Sequence, residues 1–345
     1  MKKVLSVACA LCMTTAMLTG CGSSNNAGTA ATGEAQNSAA ASTTTEQAST
    51  ATDAGTTLIA LITMDSLDQH WVTLNEGAQK AAAELGVTVQ FMAPNTKDDA
   101  QQIECVNNAV SAGAQAIIVA ANGPDAISSA LREASDAGVK LIYVDSPANV
   151  SAEATFSTDN NAAGKTAGEE MKKALADAGV TSGSIGIINV NAATDSCVMR
   201  EEGFRSAFEG TDFELLETQY GEGDAAKSQS IAENYITQGV VGIFGCNEGS
   251  TTGAGNAIKA SGKDNVIGVG FDKSDAILGL IDDGYLLCTM AQNPDVMGYE
   301  GVKAAAWREP AFPPCGIHNR NRPPRYSAPV PPPPSEAVPA VFPQA

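Results

Sequence analysis

The segment MDSLDQHW, residues 64–71, brings two carboxylates, an imidazole and an indole close together in the chain. Asp65 and Asp68 precede the adjacent pair His70 and Trp71, although the whole sequence contains only two histidines and two tryptophans. Carboxylates accept hydrogen bonds from hydroxyl groups, and the flat face of an indole packs against apolar C–H groups. We therefore predict that this segment forms one wall of a ligand cleft.

Polar residues also follow several other apolar runs of strand length. In open parallel sheets, ligands bind beyond the carboxyl ends of the strands, so residues at these positions are candidates for the same cleft. Each one taken alone is more often a cap or a turn residue, because Asp and Asn favour helix starts and turns. Their recurrence at one strand end after another favours a shared cleft. The candidates are Asp65, Asp68, His70, Trp71, Asn122, Asp145, Asn191, Asn247, Glu248, Asp272 and Gln292.

The chain alternates between strand-like and helix-like patterns from Thr57 onward. TLIALIT is a continuous apolar run of strand length, and WVTLNEGAQKAAAELG is an amphipathic helical pattern that ends at Gly86. Apolar strands between amphipathic helices indicate parallel sheets covered on both faces. We predict an α/β protein with two doubly wound parallel-sheet lobes and the ligand cleft between them. Residues 57–158 with 293–306 would form the first lobe, and residues 159–292 the second.

The N-terminal segment MKKVLSVACALCMTTAMLTGC has two lysines followed by an apolar stretch, which is typical of an export signal. Its end, LTGC, is similar to the lipobox of bacterial lipoproteins, in which the cysteine is lipidated and becomes the mature N-terminus. An ordinary cleaved signal peptide with an incidental Cys21 is the alternative. Residues 22–56 have almost no large apolar side chain, so we predict a flexible polar tether. We expect residues 1–21 to be a lipoprotein signal peptide, and the protein to be extracytoplasmic and anchored to the cell membrane by an N-terminal lipid.

A net charge of −19 argues against nucleic acid as a partner, because a protein that binds nucleic acid needs a basic face. The cysteines that follow Cys21 are odd in number and widely spaced, so they fit neither a disulfide framework nor the paired spacing of a zinc site. They are Cys105, Cys197, Cys246, Cys288 and Cys315. We predict a monomer with no metal ion and no cofactor.

The composition changes abruptly at Trp307, where a proline-rich tail begins. Proline lacks a backbone N–H and clashes with the preceding turn, so residues 307–345 can form neither a helix nor a central strand. We predict that this tail is disordered. A native proline-rich appendage is one explanation. A reading-frame shift in the gene is the explanation we favour, because it accounts better for so abrupt a break.

Five segments resemble the sugar-binding, type I family of periplasmic-binding-protein-like solute receptors, whose members bind ribose, galactose or allose. They are NEGAQKAAAELG, DNNAAGKTAGEEM, REEGFRSAF, VIGVGFDKSDA and AQNPDVMGYEGV, and the resemblance covers residues 57–305. It implies two lobes joined by three hinge strands, which close on one small molecule and hand it to an ABC permease. By the same resemblance, the C-terminal part of the fold is incomplete, because the tail replaces the last hinge strand and part of a covering helix.

The resemblance also implies roles for particular residues. His70 and Trp71 fall where the family presents an aromatic pair, and Asp145 falls on its fourth-strand carboxylate. Other matches lie in the second lobe and at the hinge, and Asn122 joins them from the strand-end pattern. The predicted ligand-binding residues are Asp68, His70, Trp71, Asn122, Asp145, Asn247, Phe271, Asp272 and Gln292.

Three positions depart from the family's pattern. Ser146 and Val198 stand where arginines are usual, and Gly223, with Tyr220 nearby, replaces an aromatic residue. With both arginines absent and three aspartates converging, a phosphate or carboxylate ligand would bury like charges together. We therefore expect a neutral polyol, sugar or nucleoside, with a cation as an alternative.

The sequence argues against two other classes of protein and leaves a third open. An enzyme is not expected, because Asp159 replaces the first glycine of a phosphate loop at AAGKT, and the sequence has no G-x-S-x-G motif and no metal-binding histidine pair. A sugar-responsive repressor would carry a helix-turn-helix before the first strand, where this chain has an export signal. A sensory receptor that passes its ligand state to a membrane kinase or chemoreceptor stays open as an alternative.

Overall fold

The computed structural model describes residues 56–263, 265–307 and 340–341. These residues belong to one compact unit, Ala54–Ala345. The predicted signal peptide with Cys21, the tether apart from its last residue, and most of the tail lie outside the described residues. None of the helices in the described part of the chain combines the length and the apolar composition needed to cross a bilayer.

The first sheet has five parallel strands: β1 (Leu58–Ile62), β2 (Thr88–Met92), β3 (Ala116–Val119), β4 (Lys140–Val144) and β5 (Ala154–Phe156). Their spatial order is β2-β1-β3-β4-β5. The helices between them are α1 (Gln69–Leu85), α2 (Asp99–Ser111) and α3 (Ser128–Asp136).

The second sheet contains β6 (Ser182–Asn189), β7 (Asp212–Leu215), β8 (Gln219–Tyr220), β9 (Gly242–Gly245), β10 (Ile267–Phe271) and β11 (Cys288–Ala291). Its helices are α4 (Asn160–Asp177), α5 (Asp195–Ala207), α6 (Ala225–Gln238), α7 (Glu248–Ser261) and α8 (Asp275–Asp282). The main order is β11-β10-β9-β6-β7, all parallel, and β8 pairs with β6. The last described helix, α9 (Pro294–Ala306), returns to the first sheet and packs on α1 and β4.

The first lobe thus consists of β1 to β5 with α1 to α3 and α9, and the second lobe of β6 to β11 with α4 to α8. The chain crosses between them at residues 157–159, between β5 and α4, and again at residues 292–293, between β11 and α9. The predicted α/β fold with two parallel-sheet lobes is confirmed.

The side chains of β1 show why the strands are apolar throughout. Ile59 and Leu61 pack on the face covered by α1 and α9, whereas Ala60 and Ile62 pack on the opposite face with residues of α2 and α3. Successive side chains of a strand point to opposite faces, so a sheet covered by helices on both faces needs apolar residues at every position. The continuous apolar runs of the sequence have this physical origin.

Glycines let the covering helices approach each other closely. A Cβ atom at Gly77 of α1 would overlap the carbonyl group of Asp295 in α9. In the second lobe, a Cβ at Gly164 of α4 would overlap the carbonyl of Arg200 in α5, and one at Gly203 would overlap the carbonyl of Asn161. The tight α4–α5 contact fixes the backbone from which the Arg200 side chain extends.

The structure contains a short strand in the tail, where we predicted disorder. Residues Ala340–Val341 form β12, which pairs antiparallel with β11 at the edge of the second sheet. An edge strand needs a partner on one side only, and prolines are tolerated on and beside such strands. The prediction for residues 308–339 and 342–345 falls outside the described residues.

The α4–α5 contact leads to a prediction about stability. Gly164→Ala should lower the free energy of unfolding by about 1–3 kcal/mol, because the added methyl group forces α5 away from α4. Urea unfolding followed by circular dichroism measures the difference. Gly279→Ala in α8 is the control: a Cβ there meets no atom within 4 Å, so alanine should leave stability unchanged or raise it. Equal stability of the Gly164 variant and the wild type would contradict the close-packing argument.

Candidate functional site

The candidate site lies between the lobes, at the carboxyl ends of the strands of both sheets. Asp145 directly follows β4 and Asp272 directly follows β10, and both have left-handed backbone conformations, with φ of 57° and 74°. Each backbone N–H donates to the neighbouring strand, Asp145 to the carbonyl of Phe156 and Asp272 to that of Met290, both at 2.9 Å. The two lobes therefore present one carboxylate each on the same kind of turn. Backbone strain of this kind is typical of functional sites.

Side chains from both lobes enclose a small space that we call the inner pocket. Its free volume is about 20 Å³, which is room for about one water molecule. A sugar ring therefore requires the lobes to open or side chains to shift. The residues that line it are Met64, Asp68, His70, Trp71, Lys97, Asp145, Val190, Ser196, Cys197, Arg200, Asn247, Asp272 and Gln292.

All the predicted ligand-binding residues line the inner pocket except Asn122 and Phe271. The amide of Asn122 is bound by protein groups: Nδ2 donates to Asp99 Oδ1 at 2.6 Å, and Oδ1 accepts from Asn191 Nδ2 across the cleft at 3.4 Å. Phe271 is fully buried, and its ring lies 4.1 Å from the guanidinium carbon of Arg200. These two residues support the site without facing the inner pocket.

Asp145 is the centre of a buried ionic cluster. Its Oδ2 lies 3.4 Å from Arg200 Nη2 and 3.4 Å from His70 Nε2, and its Oδ1 accepts a hydrogen bond from Ser196 Oγ at 3.1 Å. Burial acts to raise the pKa of Asp145, but the contact with His70 and the positive charge of Arg200 outweigh it and lower the pKa to about 2. Asp145 is therefore ionised, and its main countercharge comes from the second lobe.

His70 bridges two carboxylates that belong to different lobes. Its Nδ1 lies 3.6 Å from Asp272 Oδ1, while Nε2 faces Asp145. Burial acts to lower the pKa of His70, but the two carboxylates outweigh it and the pKa is raised above its ordinary value. The Nε2 contact has an ion-pair distance without hydrogen-bond geometry, so this nitrogen remains able to donate to a ligand.

Lys97 is a pocket residue that the sequence analysis missed. Its Nζ binds the carboxylates of Asp65 and Asp68, the latter at 2.8 Å. Asp65 in turn accepts a hydrogen bond from Trp71 Nε1 at 3.2 Å and another from the backbone of Leu67 at 2.7 Å, so it fixes the orientation of the indole. Lys97 lies in the loop after β2, and the strand-end rule applied to that strand would have found it.

Arg200 is the second residue that was missed, and it corrects an expectation. We expected the pocket to lack arginine because Ser146 and Val198 replace the usual ones. Arg200, on the same helix as Val198, lines the inner pocket, where its Nε donates to Asn160 Oδ1 at 2.8 Å and its Nη1 to the carbonyl of Cys246 at 3.1 Å. The REEGF motif that carried the resemblance begins with this residue.

Side chains of both charges line the inner pocket. The carboxylates of Asp68, Asp145 and Asp272 face the cations Lys97 and Arg200 and the imidazole of His70, whose raised pKa favours the charged form. Burial and the neighbouring Asp65 and Asp272 raise the pKa of Asp68 to about 6 against the opposing effect of Lys97. Because these buried charges already face countercharges, a neutral ligand suits the pocket better than a charged one.

Two amide side chains complete the site. Asn247 Oδ1 accepts from the backbone N–H and the hydroxyl of Ser250 at 3.1 and 2.7 Å, and its buried Nδ2 has no partner among the described residues. Gln292 Nε2 donates to Asp272 Oδ1 at 2.5 Å, while Gln292 Oε1 accepts from Thr158 at 2.8 Å. Asn247 therefore offers a free donor to a ligand, and Gln292 joins the two crossings of the chain.

A larger space, the outer cavity, continues from the inner pocket past His70 and Gln292. Its volume is about 340 Å³, and it has walls from both lobes. The other residues that line it are Gln69, Thr73, Lys273, Ser274, Asp275, Leu278, Asn293, Pro294 and Asp295. No group of three or more His, Cys, Asp or Glu side chains within the described residues could hold a metal ion.

The structure has two parallel α/β lobes, which are joined by crossings of the chain and enclose charged and polar side chains between them. This arrangement defines a bilobal ligand-binding protein. The sequence model of the periplasmic binding protein domain matches residues 59–307, and the chain belongs to this family. The resemblance drawn from the sequence motifs is confirmed.

The relatives of this chain include sugar-binding proteins. The ribose import binding protein RbsB of Haemophilus influenzae is 30% identical over 260 residues, which cover 74% of this chain and 86% of the relative. RbsB of Escherichia coli is 28% identical over 250 residues, which cover 72% and 83%.

Several solved structures with the same fold are complexes. A carbohydrate transporter solute-binding protein of Agrobacterium radiobacter in complex with D-arabinose has a TM-score of 0.70 at 28% identity, covering 73% of this chain and 88% of its own. A solute-binding protein of Agrobacterium vitis with bound D-fucose has a TM-score of 0.68 at 28% identity, covering 72% and 88%. A XylFII–LytSN complex has a TM-score of 0.68 at 25% identity, covering 73% and 92%.

The ionic cluster leads to a prediction about stability and pH. Asp145→Asn leaves the buried Arg200 without its main carboxylate, so the free energy of unfolding at pH 7 should fall by about 3–5 kcal/mol. The pKa of Asp145 is about 2 in the folded protein, below its ordinary 3.8. The stabilisation by this carboxylate is therefore fully present above pH 3.8 and is lost as the pH falls through 2.

Urea unfolding of the wild type and the variant at several pH values measures this effect. The difference between the two proteins should be largest near neutral pH and should shrink as the pH approaches 2. Asp136→Asn, at an exposed position, is the control and should behave like the wild type throughout. If the Asp145→Asn variant were as stable as the wild type at pH 7, the proposed stabilisation by the ion pair between Asp145 and Arg200 would be contradicted.

Proposed function

We propose that this protein is an extracytoplasmic substrate-binding lipoprotein of a sugar-type ABC importer. It captures a neutral sugar or polyol by closure of its two lobes and delivers it to a membrane permease. The observation that carries the proposal is the inner pocket, in which polar and charged side chains from both lobes meet. Relatives named as ribose-binding proteins and neighbours solved with bound sugars support it.

The chemistry of the pocket suits a sugar. The carboxylates of Asp145 and Asp272 accept hydrogen bonds from hydroxyl groups, and Asn247 Nδ2 donates one. Trp71, held by Asp65, offers its indole face to the C–H groups of a sugar ring. Together they bind a ring by its polar edge and its apolar face.

Binding also requires the two lobes to open and close. The inner pocket is too small for a sugar ring with the lobes as they stand, so the ligand enters when they separate, and its ring occupies space into which side chains now extend. Hinge closure around a ligand is the established motion of periplasmic binding proteins. The protein acts as a monomer, without catalysis and without a cofactor, and its partners are the ligand and the permease.

A sensory receptor is the second candidate function. Among the similar structures is XylFII in a complex with LytSN, in which a protein of this fold is bound to another protein. A ligand-dependent closure can be transmitted to a membrane kinase or chemoreceptor in the same way that it is presented to a permease. A nucleoside in place of the sugar is a further alternative for the ligand.

A ligand screen tests the proposed ligand class. The melting temperature of the purified protein should rise with one or more of D-ribose, D-arabinose, D-fucose and D-tagatose, because a ligand that binds the folded state stabilises it. Adenosine and inorganic phosphate are included, and phosphate should have no effect because the pocket has no surplus positive charge. Stabilisation by no sugar or polyol would contradict the proposal, and stabilisation by adenosine alone would select the nucleoside alternative.

The substitution Asn247→Asp tests whether a sugar found in that screen binds in the inner pocket. The substitution keeps the oxygen that caps α7 but replaces the free Nδ2 donor, so the affinity for the bound sugar should fall by about tenfold or more. Calorimetric titration measures the change. Asn234→Asp, at an exposed position of α6, is the control and should bind like the wild type. Equal affinity of Asn247→Asp and wild type would place the ligand elsewhere.

The membrane anchor has its own test. Cys21→Ala should move the protein from the membrane fraction to the soluble fraction, because the proposed lipid attachment site is removed. Cell fractionation and immunoblotting measure the distribution. Cys9→Ala changes a cysteine of the same segment outside the LTGC motif and should leave the protein in the membrane fraction. Continued membrane association of the Cys21 variant would refute the lipoprotein assignment.

A further inference from the structure

Helix α1, which carries His70 and Trp71, begins without a cap from its own chain segment. Asp68 is the N-cap residue, but its side chain makes no capping hydrogen bond. Its carboxylate binds Lys97 instead, at 2.8 Å. N-cap side chains normally accept a hydrogen bond from the first turn of the helix, so the first N–H groups of α1 need another acceptor.

The acceptor is Glu248, the first residue of α7 in the second lobe. Its Oε1 accepts from the backbone N–H of Gln69 at 3.0 Å, and its Oε2 accepts from that of His70 at 3.1 Å. A carboxylate at a helix N-terminus also interacts favourably with the helix dipole. The helix of one lobe is thus capped by the other lobe.

A second cap crosses the cleft in the opposite direction. Gln69 Oε1 in the first lobe accepts from the backbone N–H of Asp275, the first residue of α8 in the second lobe, at 3.0 Å. Donors and acceptors of both caps lie on opposite sides of the cleft, so the hydrogen bonds exist only while the lobes are closed. We propose that Glu248 is a closure residue, whose capping of α1 across the cleft determines how large a fraction of the protein is closed and thereby how tightly it holds a ligand.

Glu248 acts as a positioning residue, because it does not line the inner pocket. The affinity of a protein for its ligand falls in proportion to the fraction that adopts the binding-competent state. Loss of the cap therefore weakens binding without removing any contact with the ligand. The effect on ligand affinity rests on the proposed function, whereas the effect on closure does not.

The charges around Glu248 make closure depend on pH. Burial and the negative charges of Asp68 and Asp272 raise the pKa of Glu248 from 4.5 to about 7, against the two backbone hydrogen bonds. Lys97 lies beyond Asp68, and His70 provides only its backbone N–H. When the lobes open, solvent restores the ordinary pKa, so closing takes up a proton. The contribution of Glu248 to closure therefore weakens as the pH rises from about 4.5 to about 7, because burial and the repulsion from Asp68 and Asp272 outweigh the two hydrogen bonds once the carboxylate is ionised.

Crosslinking across the outer cavity measures closure without a ligand. Thr73 and Leu278 line this cavity from opposite lobes, and both are half-buried. Thr73→Cys with Leu278→Cys, treated with a short bismaleimide in the full-length chain, should crosslink at a rate that follows the closed fraction. Peptide mass spectrometry identifies the crosslink against the native cysteines.

Glu248→Ala in this background should slow crosslinking by about five- to tenfold, as expected for loss of hydrogen bonds to a carboxylate that is only partly buried. Affinity for whichever of D-ribose, D-arabinose, D-fucose or D-tagatose binds should fall by a similar factor. Glu248→Gln should make the decline of crosslinking between pH 5 and 7 shallower. Glu209→Ala, exposed in the same lobe, is the control and should match the wild type.

A matched pair at Gln69 tests the same cap from the first lobe. Gln69 is the first residue of α1, where proline is tolerated, and Asp68 before it already has the extended conformation that proline requires, with φ −63° and ψ 134°. Gln69→Ala removes only the side chain that caps α8, whereas Gln69→Pro also removes the N–H bound by Glu248. The proline variant should therefore crosslink more slowly than the alanine variant.

The outcomes are distinct. Wild-type crosslinking in Glu248→Ala, or equal rates in the two Gln69 variants, would overturn the proposal. If circular dichroism shows that Glu248→Ala does not fold, the Gln69 pair decides. A wild type that binds none of the four sugars would contradict the proposed ligand class, while the crosslinking rates would still decide the role of Glu248.

Discussion

The buried carboxylate of Asp145 is the charge on which the arrangement of the cleft depends. It belongs to the first lobe, but Arg200, which neutralises it, belongs to the second, and His70 links it to Asp272. A buried charge without a partner is very unfavourable, so these groups remain buried only together. The relative position of the lobes and the electrostatics of the pocket therefore depend on each other. Separation of the lobes must let water reach every member of the cluster.

The supporting structure keeps these groups in place from outside the pocket. Arg200 extends from a helix that Gly164 allows to lie directly against its neighbour. Asp65 fixes Trp71 while it shares Lys97 with Asp68. Because Asp68 is paired with Lys97, the first N–H groups of α1 donate to Glu248 of the other lobe instead. The pairing of Asp68 with Lys97 therefore also affects the contact between the lobes.

The sequence predicted the fold well because the periodicity of apolar residues reflects how many faces of a strand are covered. Continuous runs such as β1 and β3 can be buried only between two layers of helices, and this determined the architecture. His70, Asp145 and Asp272, which the strand-end rule selected, line the inner pocket because parallel strands bring their carboxyl ends to one edge. The order of strands and helices can be predicted because it depends on the local pattern of apolar residues.

Which side chains pair with each other is not a local property, and the linear sequence does not reveal it. Asn122 follows a strand as expected, but its amide is bound by Asp99 and Asn191, which no linear pattern reveals. Arg200 stands two positions from the place where the resemblance led us to expect an arginine, and only the packing of α5 shows that its guanidinium reaches the pocket.

The left-handed turns that carry Asp145 and Asp272 limit how this pocket can change. Side chains branched at Cβ are strongly disfavoured in that conformation, whereas Gly adopts it freely and Asp and Asn adopt it at a smaller cost. Mutational drift at these two positions can therefore exchange a charge for an amide or remove the side chain, but it cannot readily install a bulky apolar group. New ligand preferences in such a cleft must arise at neighbours with ordinary backbone geometry, such as Ser146. The backbone conformation therefore keeps these two positions of the pocket free of bulky apolar side chains, whichever ligand is bound.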